Sequence, residues 1–161
     1  MIFSNLKMRS LLDNFQNAET ARLNASLQKI IDLGLCQIGD MFFFSQKSQH
    51  ISAESLGCLD VITQRYGDRS GFEKSMNSIH IEDYESEDIV GQSLLFFYHL
   101  KEYWITHSLP DCTIFLSLQN SVVFGIMANV SFCISRLNET IIDVANIEHY
   151  EEAVMVEFVK S

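Results

Sequence analysis

The stretch CTIFLSLQNSVVFGIMANVSFCIS, Cys112 to Ser135, runs for 24 residues without a charge, and its reading decides the fold. On length alone it would cross a bilayer, for which about 20 apolar residues suffice as a helix. Its periodicity is that of strands. In 112–118, Ile114, Leu116 and Leu118 alternate with Thr113, Phe115 and Ser117, and in 130–136, Val130, Phe132 and Ile134 alternate with Ser131, Cys133 and Ser135. A period of two places successive side chains on opposite faces of a sheet. Gln119-Asn120-Ser121 and Ala128-Asn129 interrupt the apolar runs at intervals suited to turns, so Val122 to Met127 is expected as a further strand between the two. Links this short rule out parallel crossovers, which need a dozen or more residues, and predict an antiparallel meander. Residues 140–145 and 153–159 are expected to extend the sheet.

Towards the N-terminus the period lengthens to that of helices. Residues 86–107 form the strongest helical segment, with Ser86 as expected N-cap, Glu87 and Asp88 in the first turn, and Pro110 closing it off. Leu94, Leu95, Phe96, Phe97, Tyr98, Leu100, Tyr103, Trp104 and Ile105 leave it little room for a solvated stripe, so it should be mostly buried. In residues 4–33, Leu6, Leu11, Leu12, Phe15, Leu23, Leu27, Ile30 and Ile31 recur at spacings near three and four, which fits one long amphipathic helix or two in succession, with Gly34 as the stop. Asp40 to Ser45 is a short apolar run that fits a buried strand. Ser52 to Tyr66 reads as a further helix, ended by a turn at Gly67-Asp68-Arg69-Ser70-Gly71. Helices first and strands afterwards define an α+β fold, with N-terminal helices and a central buried helix packed on a C-terminal antiparallel sheet. The chain of 161 residues is expected to form a single domain over 1–161, its helical half about 1–110 and its sheet about 112–159.

The formal net charge of −10 is unevenly spread. Residues 1–80 hold eight Lys/Arg and eight Asp/Glu, whereas residues 81–161 hold three Lys/Arg against thirteen Asp/Glu. Such an excess repels phosphate backbones and anionic lipid, which argues against nucleic acid and membrane surfaces as partners and for a cationic protein surface. With 11 basic residues and no basic stripe or aromatic RNA-binding motif, the footprint of a nucleic-acid binder is missing. The cysteines Cys36, Cys58, Cys112 and Cys133 form no C-x-x-C pair and no compact disulfide framework, so they read as reduced, mostly buried thiols. Met1 to Arg9 lacks the ordered regions of a secretory signal, and a cytoplasmic location is the expectation.

The densest polar feature is Glu82-Asp83-Tyr84-Glu85-Ser86-Glu87-Asp88, echoed at Glu148-His149-Tyr150-Glu151-Glu152. Acids around a tyrosine suit a protein interface, because an aromatic ring can anchor in a pocket while carboxylates steer and pair the partner's Lys and Arg. The competing reading is a solvated loop whose last acids favour the positive end of a helix. Expected partner-binding residues are Glu82, Asp83, Tyr84, Glu85, Glu87 and Asp88, with Glu148, Tyr150, Glu151 and Glu152 as a second patch.

Metal, cofactor and catalytic motifs are absent. No H-E-x-x-H helix or calcium-loop ladder surrounds the His–carboxylate neighbours His80-Ile81-Glu82-Asp83 and His149-Tyr150-Glu151-Glu152, and there is no G-x-S-x-G or dinucleotide-binding pattern. Composition resembles, in size and acidity only, immunity proteins and antitoxins that neutralise basic nucleases. The functional expectation is therefore an acidic cytoplasmic inhibitory protein that binds a basic protein partner such as a toxin or nuclease domain. The alternative is a small enzyme or ligand-binding regulator with an aromatic pocket between helix 86–107 and the sheet, using groups such as His99 and Tyr103.

Overall fold

The structure is a computed structural model that describes residues 1–14, 22–51 and 59–160. Its strands are β1 (Ile2–Ser4), β2 (Leu35–Ile38), β3 (Met41–Phe44), β4 (Ile79–His80), β5 (Cys112–Ser121), β6 (Gly125–Ile134) and β7 (Ala153–Val159). The helices are α1 (Leu6–Asn14), α2 (Ala25–Leu33), α3 (Leu59–Tyr66), α4 (Arg69–Met76) and α5 (Ile89–Thr106). Five strands form one antiparallel sheet in the order β1-β7-β5-β6-β4, and β2 pairs β3 in a separate hairpin. The α+β class and the antiparallel C-terminal sheet are as the periodicity predicts.

Helix α5 lies across one face of the sheet. Val90 and, two turns on, Phe97, Leu100 and Trp104 at three- and four-residue spacing join Ile114, Leu116, Val130, Phe132 and Met155 in the main core. Trp104 meets the rings of Phe42 and Phe132 edge-on or tilted, Phe44 bridges Phe96 and Phe132, and the indole N–H of Trp104 donates to the carbonyl of Pro110 at 2.6 Å. The burial of α5 is less complete than its composition suggests, since Tyr98 and Ile105 remain exposed. On the other face, Phe115, Cys133, Val154 and Val156 are covered by Ile141, Ile142, Ile147 and Tyr150 from the connection between β6 and β7. Both faces are thus buried over part of the sheet, which explains why apolar residues occupy both alternating sets in β5 and β7.

Several sequence expectations are corrected. Val122 to Met127 is not a separate strand: β5 and β6 are ten residues each, joined at Val122–Phe124, and Gln119, Asn120, Ala128 and Asn129 lie inside the ladder. Polar residues are tolerated there because much of that end is solvent-facing, with Gln119 and Asn120 exposed and Asn129 half-buried. Residues 140–145 form no strand. Their apolar residues pack as an irregular cover on the sheet. The N-cap of α5 is Asp88, which accepts from the Gly91 amide at 3.0 Å, not Ser86. The Gly67–Gly71 turn contains the start of α4, capped by Asp68, which accepts from the Gly71 amide at 2.7 Å. Among the described residues of 4–33 there are two helices, α1 and α2, and Ser4 belongs to β1. Of the helix expected over Ser52 to Tyr66, 59–66 is α3, whereas 52–58, with Cys58, lies outside the described residues, as does 15–21.

Helix α4 closes a gap between β3 and the outer edge of β6 by side chains alone. Glu73 is fully buried and accepts from the Phe42 amide at 2.5 Å through Oε1 and from the Ile134 amide at 2.8 Å through Oε2. One turn later, Asn77 accepts from the Phe44 amide at 3.1 Å and donates to the Phe42 carbonyl at 2.8 Å. Burial pushes the Glu73 carboxyl above its ordinary value, against the opposing pull of Arg136, whose Nη1 donates to it at 2.8 Å, and of the two amides.

Candidate functional site

The sheet's strand register fixes where the acidic segments lie. Strand β7 pairs β5 only as far as Leu118, opposite Ala153, and β4 pairs β6 only as far as Asn129, opposite His80. Beyond those rows, among the described residues, the β5–β6 hairpin pairs only with itself through Gln119↔Met127, Asn120↔Ile126 and Ser121↔Gly125. Three rows and a turn project roughly 10 Å at about 3.4 Å per residue. The segment containing Glu82 and Asp83 follows β4 on one side of this projection, and Glu151 and Glu152 precede β7 on the other. Glu82 and Glu152, far apart in sequence, line one cleft of about 200 Å³ together with His80, Ser117 and Asn129. A larger open cleft of about 690 Å³, lined by Leu6, Gln119, Asn120 and Glu151 among others, runs between α1 and the foot of the hairpin.

The candidate residues divide by what their side chains do. Glu82 seals the edge of β6, accepting from the Ala128 amide at 3.0 Å, with His80 Nδ1 at 3.4 Å from its other oxygen. Glu85 accepts from the amides of Ser86 and Glu87, each at 2.9 Å, and from Asn24 at 3.3 Å; the Glu87 amide first, then Asn24, lowers its carboxyl below the ordinary value. Asp88 caps α5. Glu148 accepts from the Leu6 amide at 2.8 Å and from Arg9 Nη2 at 2.6 Å, which in that order lower its carboxyl. Tyr84 is half-buried against the main core and Tyr150 against the second-face cluster. Asp83, Glu87 and Glu151 are exposed, and Glu152 is half-buried.

The hairpin tip was missed in the sequence, where 122–127 reads as an ordinary apolar strand. Val122 is fully exposed at 106%, and Val123 and Phe124 are 79% and 76% exposed. The turn is nonetheless well made: the Ser121 hydroxyl accepts from the amides of Val123 and Phe124, each at 3.2 Å, and Gly125 takes the left-handed conformation with φ +74. A three-residue loop followed by a left-handed glycine is a common hairpin closure. The signal available in the sequence was Gly125 itself, at the position where such a closure needs positive φ.

Cys133 is buried and its thiol is pushed up to about 12, mainly by burial, while burial also raises Cys112. Cys112 lies in the main core and Cys133 in the cluster on the opposite face of the sheet. Between α5 and the sheet, where an aromatic pocket was the alternative expectation, Phe96, Phe97, Leu100 and Trp104 are 0–1% exposed and pack within the core. His99 is half-buried, and Tyr103 stacks on His107 with ring centroids 3.9 Å apart. Among the described residues no helix is long and apolar enough to cross a membrane.

Fold and surface together define an α+β domain whose sheet ends in a projecting hairpin flanked by acids. The chain belongs to the family described as "Uncharacterized protein PM0498 family", whose model matches residues 3–160. It is 30% identical over 159 residues to "Uncharacterized protein PM0498" of Pasteurella multocida (strain Pm70), an alignment covering 94% of this chain and 98% of that protein. No solved structure matches the chain.

Proposed function

We propose that this protein is an inhibitory binding protein of immunity or antitoxin type that works in the cytoplasm by occluding a basic protein partner such as a toxin or nuclease domain. The observation that carries the reading is the meeting of the two acidic segments: Glu82 and Glu152 line one cleft at the foot of the hairpin. Asp83, Glu87 and Glu151 add exposed charge from the same two segments, whereas Glu148 is paired with Arg9. Acids drawn from separate elements around one feature create a local negative potential, which accelerates encounter with a cationic surface and disfavours wrong partners. Glu85 and Asp88 support the surface by fixing the loop and the helix start behind it, and Tyr84 and Tyr150 support it by packing beneath.

Affinity capture from native lysate tests the proposal. The wild-type protein should retain one stable basic protein, and a variant carrying Asp83→Lys, Glu87→Lys and Glu151→Lys should lose most of it while keeping its circular dichroism spectrum. Equal retention by both, or retention of no basic protein, would contradict the proposal.

A further inference from the structure

We infer that the Val122–Phe124 tip is an apolar finger that inserts into a concave, apolar-floored and basic-rimmed cleft of the partner. This inference rests on the proposed function and supplies its mode of inhibition.

Three observations converge on it. The first is chemical. Hairpin turns favour Gly, Asn, Asp and Ser, whose side chains bond locally or permit positive φ, whereas β-branched and aromatic residues at a solvated tip bring the fold no packing. Val122, Val123 and Phe124 are 106%, 79% and 76% exposed, with Ile126 at 42% just below them. The second is a held backbone: the Ser121 hydroxyl accepts from the amides of Val123 and Phe124, and Gly125 closes the turn, so the backbone that carries the apolar groups keeps one turn geometry. A preorganised anchor loses little conformational freedom on binding. The third is reach, since the hairpin's last three rows stand beyond the ends of β7 and β4. A projecting shape fits a concavity better than a flat face.

Charge selects the occupant. Acids outnumber bases on both sides of the hairpin, with Glu82 bound to its Ala128 amide on one side, and Glu151 and Glu152 lining the cleft at its foot with the single cation Lys7 on the other. An anionic lipid surface would be repelled by these groups, whereas a protein cleft rimmed by Lys or Arg would be attracted as the tip enters. An apolar anchor surrounded by polar contacts that exclude water is the usual anatomy of an interface hot spot.

The test places a photo-crosslinking amino acid in the full-length protein at Val123, and in separate variants at Asp83 and at exposed Gln64 on α3, within the cells that make the protein. An adduct between Val123 and the same basic polypeptide that Asp83 captures, with none from Gln64, is expected. In that complex Phe124→Ser should raise the dissociation rate about tenfold to a hundredfold, as loss of an anchor does, and Asp83→Lys should mainly slow association. Capture by Asp83 without capture by Val123 would overturn the finger while leaving the acidic interface standing. Crosslinking of Val123 to a second copy of the chain or to lipid would overturn it in favour of self-association or membrane contact. No adduct from either position would remove both readings.

Discussion

Glu73 is the residue on which the packing of α4 turns. Its two oxygens serve amides from β3 and β6, and Arg136 donates to it while also donating to the carbonyl of Asp40 at 2.9 Å. Glu73→Gln would replace one acceptor with a donor aimed at an amide or a guanidinium. Breaking a buried ion pair in this way costs about 3–5 kcal/mol, and the midpoint of urea unfolding should fall accordingly. The pH dependence has a definite sign. Because burial raises the folded-state value, the folded protein binds this proton more tightly than the unfolded chain. The stability linked to it is present below the unfolded value and is lost as pH rises through the folded one. The same urea series in the Gln variant should lack that decline. Gly34 is a second such point: with φ +69 at the end of α2, a Cβ there would collide with the Tyr103 hydroxyl. Gly34→Ala should cost about 1–3 kcal/mol through backbone strain alone and lower the melting temperature.

At the scale of elements, the β5–β6 hairpin contributes to the fold through its lower rows, and the proposal assigns recognition to its tip. Val122, Val123 and Phe124 make no burial that the fold depends on. Replacing all three with Ser should therefore move stability by no more than about 0.5 kcal/mol, as surface changes commonly do, and thermal unfolding would check it. A large loss of stability would mean that the tip is part of the folded core. The strands themselves were legible, because Ile114, Leu116 and Leu118 alternate with Thr113, Phe115 and Ser117 whatever the partner strand. Their length was not, since Asn120 and Asn129 look like turn residues until one sees that they stand in ladder rows where the sheet meets solvent. Helix α4 was also hidden. Its residues Arg69–Met76 offer few apolar positions, because Glu73 and Asn77 occupy the face that meets the sheet edge. The acidic segments were visible as composition, but chain order alone could not tell that Glu82 would bind the Ala128 amide, that Asp88 would be a cap, or that Glu152 would lie near Glu82.

Over the whole molecule, charge is balanced in residues 1–80 and strongly negative in 81–161, and part of that excess gathers at one end of the sheet, where Lys7 and Arg9 meet some of it. The return of β7 beside β5 brings Glu151 and Glu152 to the end of the sheet that β4 and the following turn supply with Glu82 and Asp83. A field built this way acts mainly on encounter, because exposed charges are screened over a Debye length of about 8 Å at physiological salt. The most direct measurement is the association rate constant of the purified protein with its captured basic partner, followed by stopped flow from low to high salt. Steering predicts a rate that falls on the order of tenfold or more as salt rises, and a flatter dependence for the Asp83→Lys, Glu87→Lys, Glu151→Lys variant. An association rate indifferent to salt, and the same for wild type and variant, would contradict an acidic recognition surface at this end of the sheet.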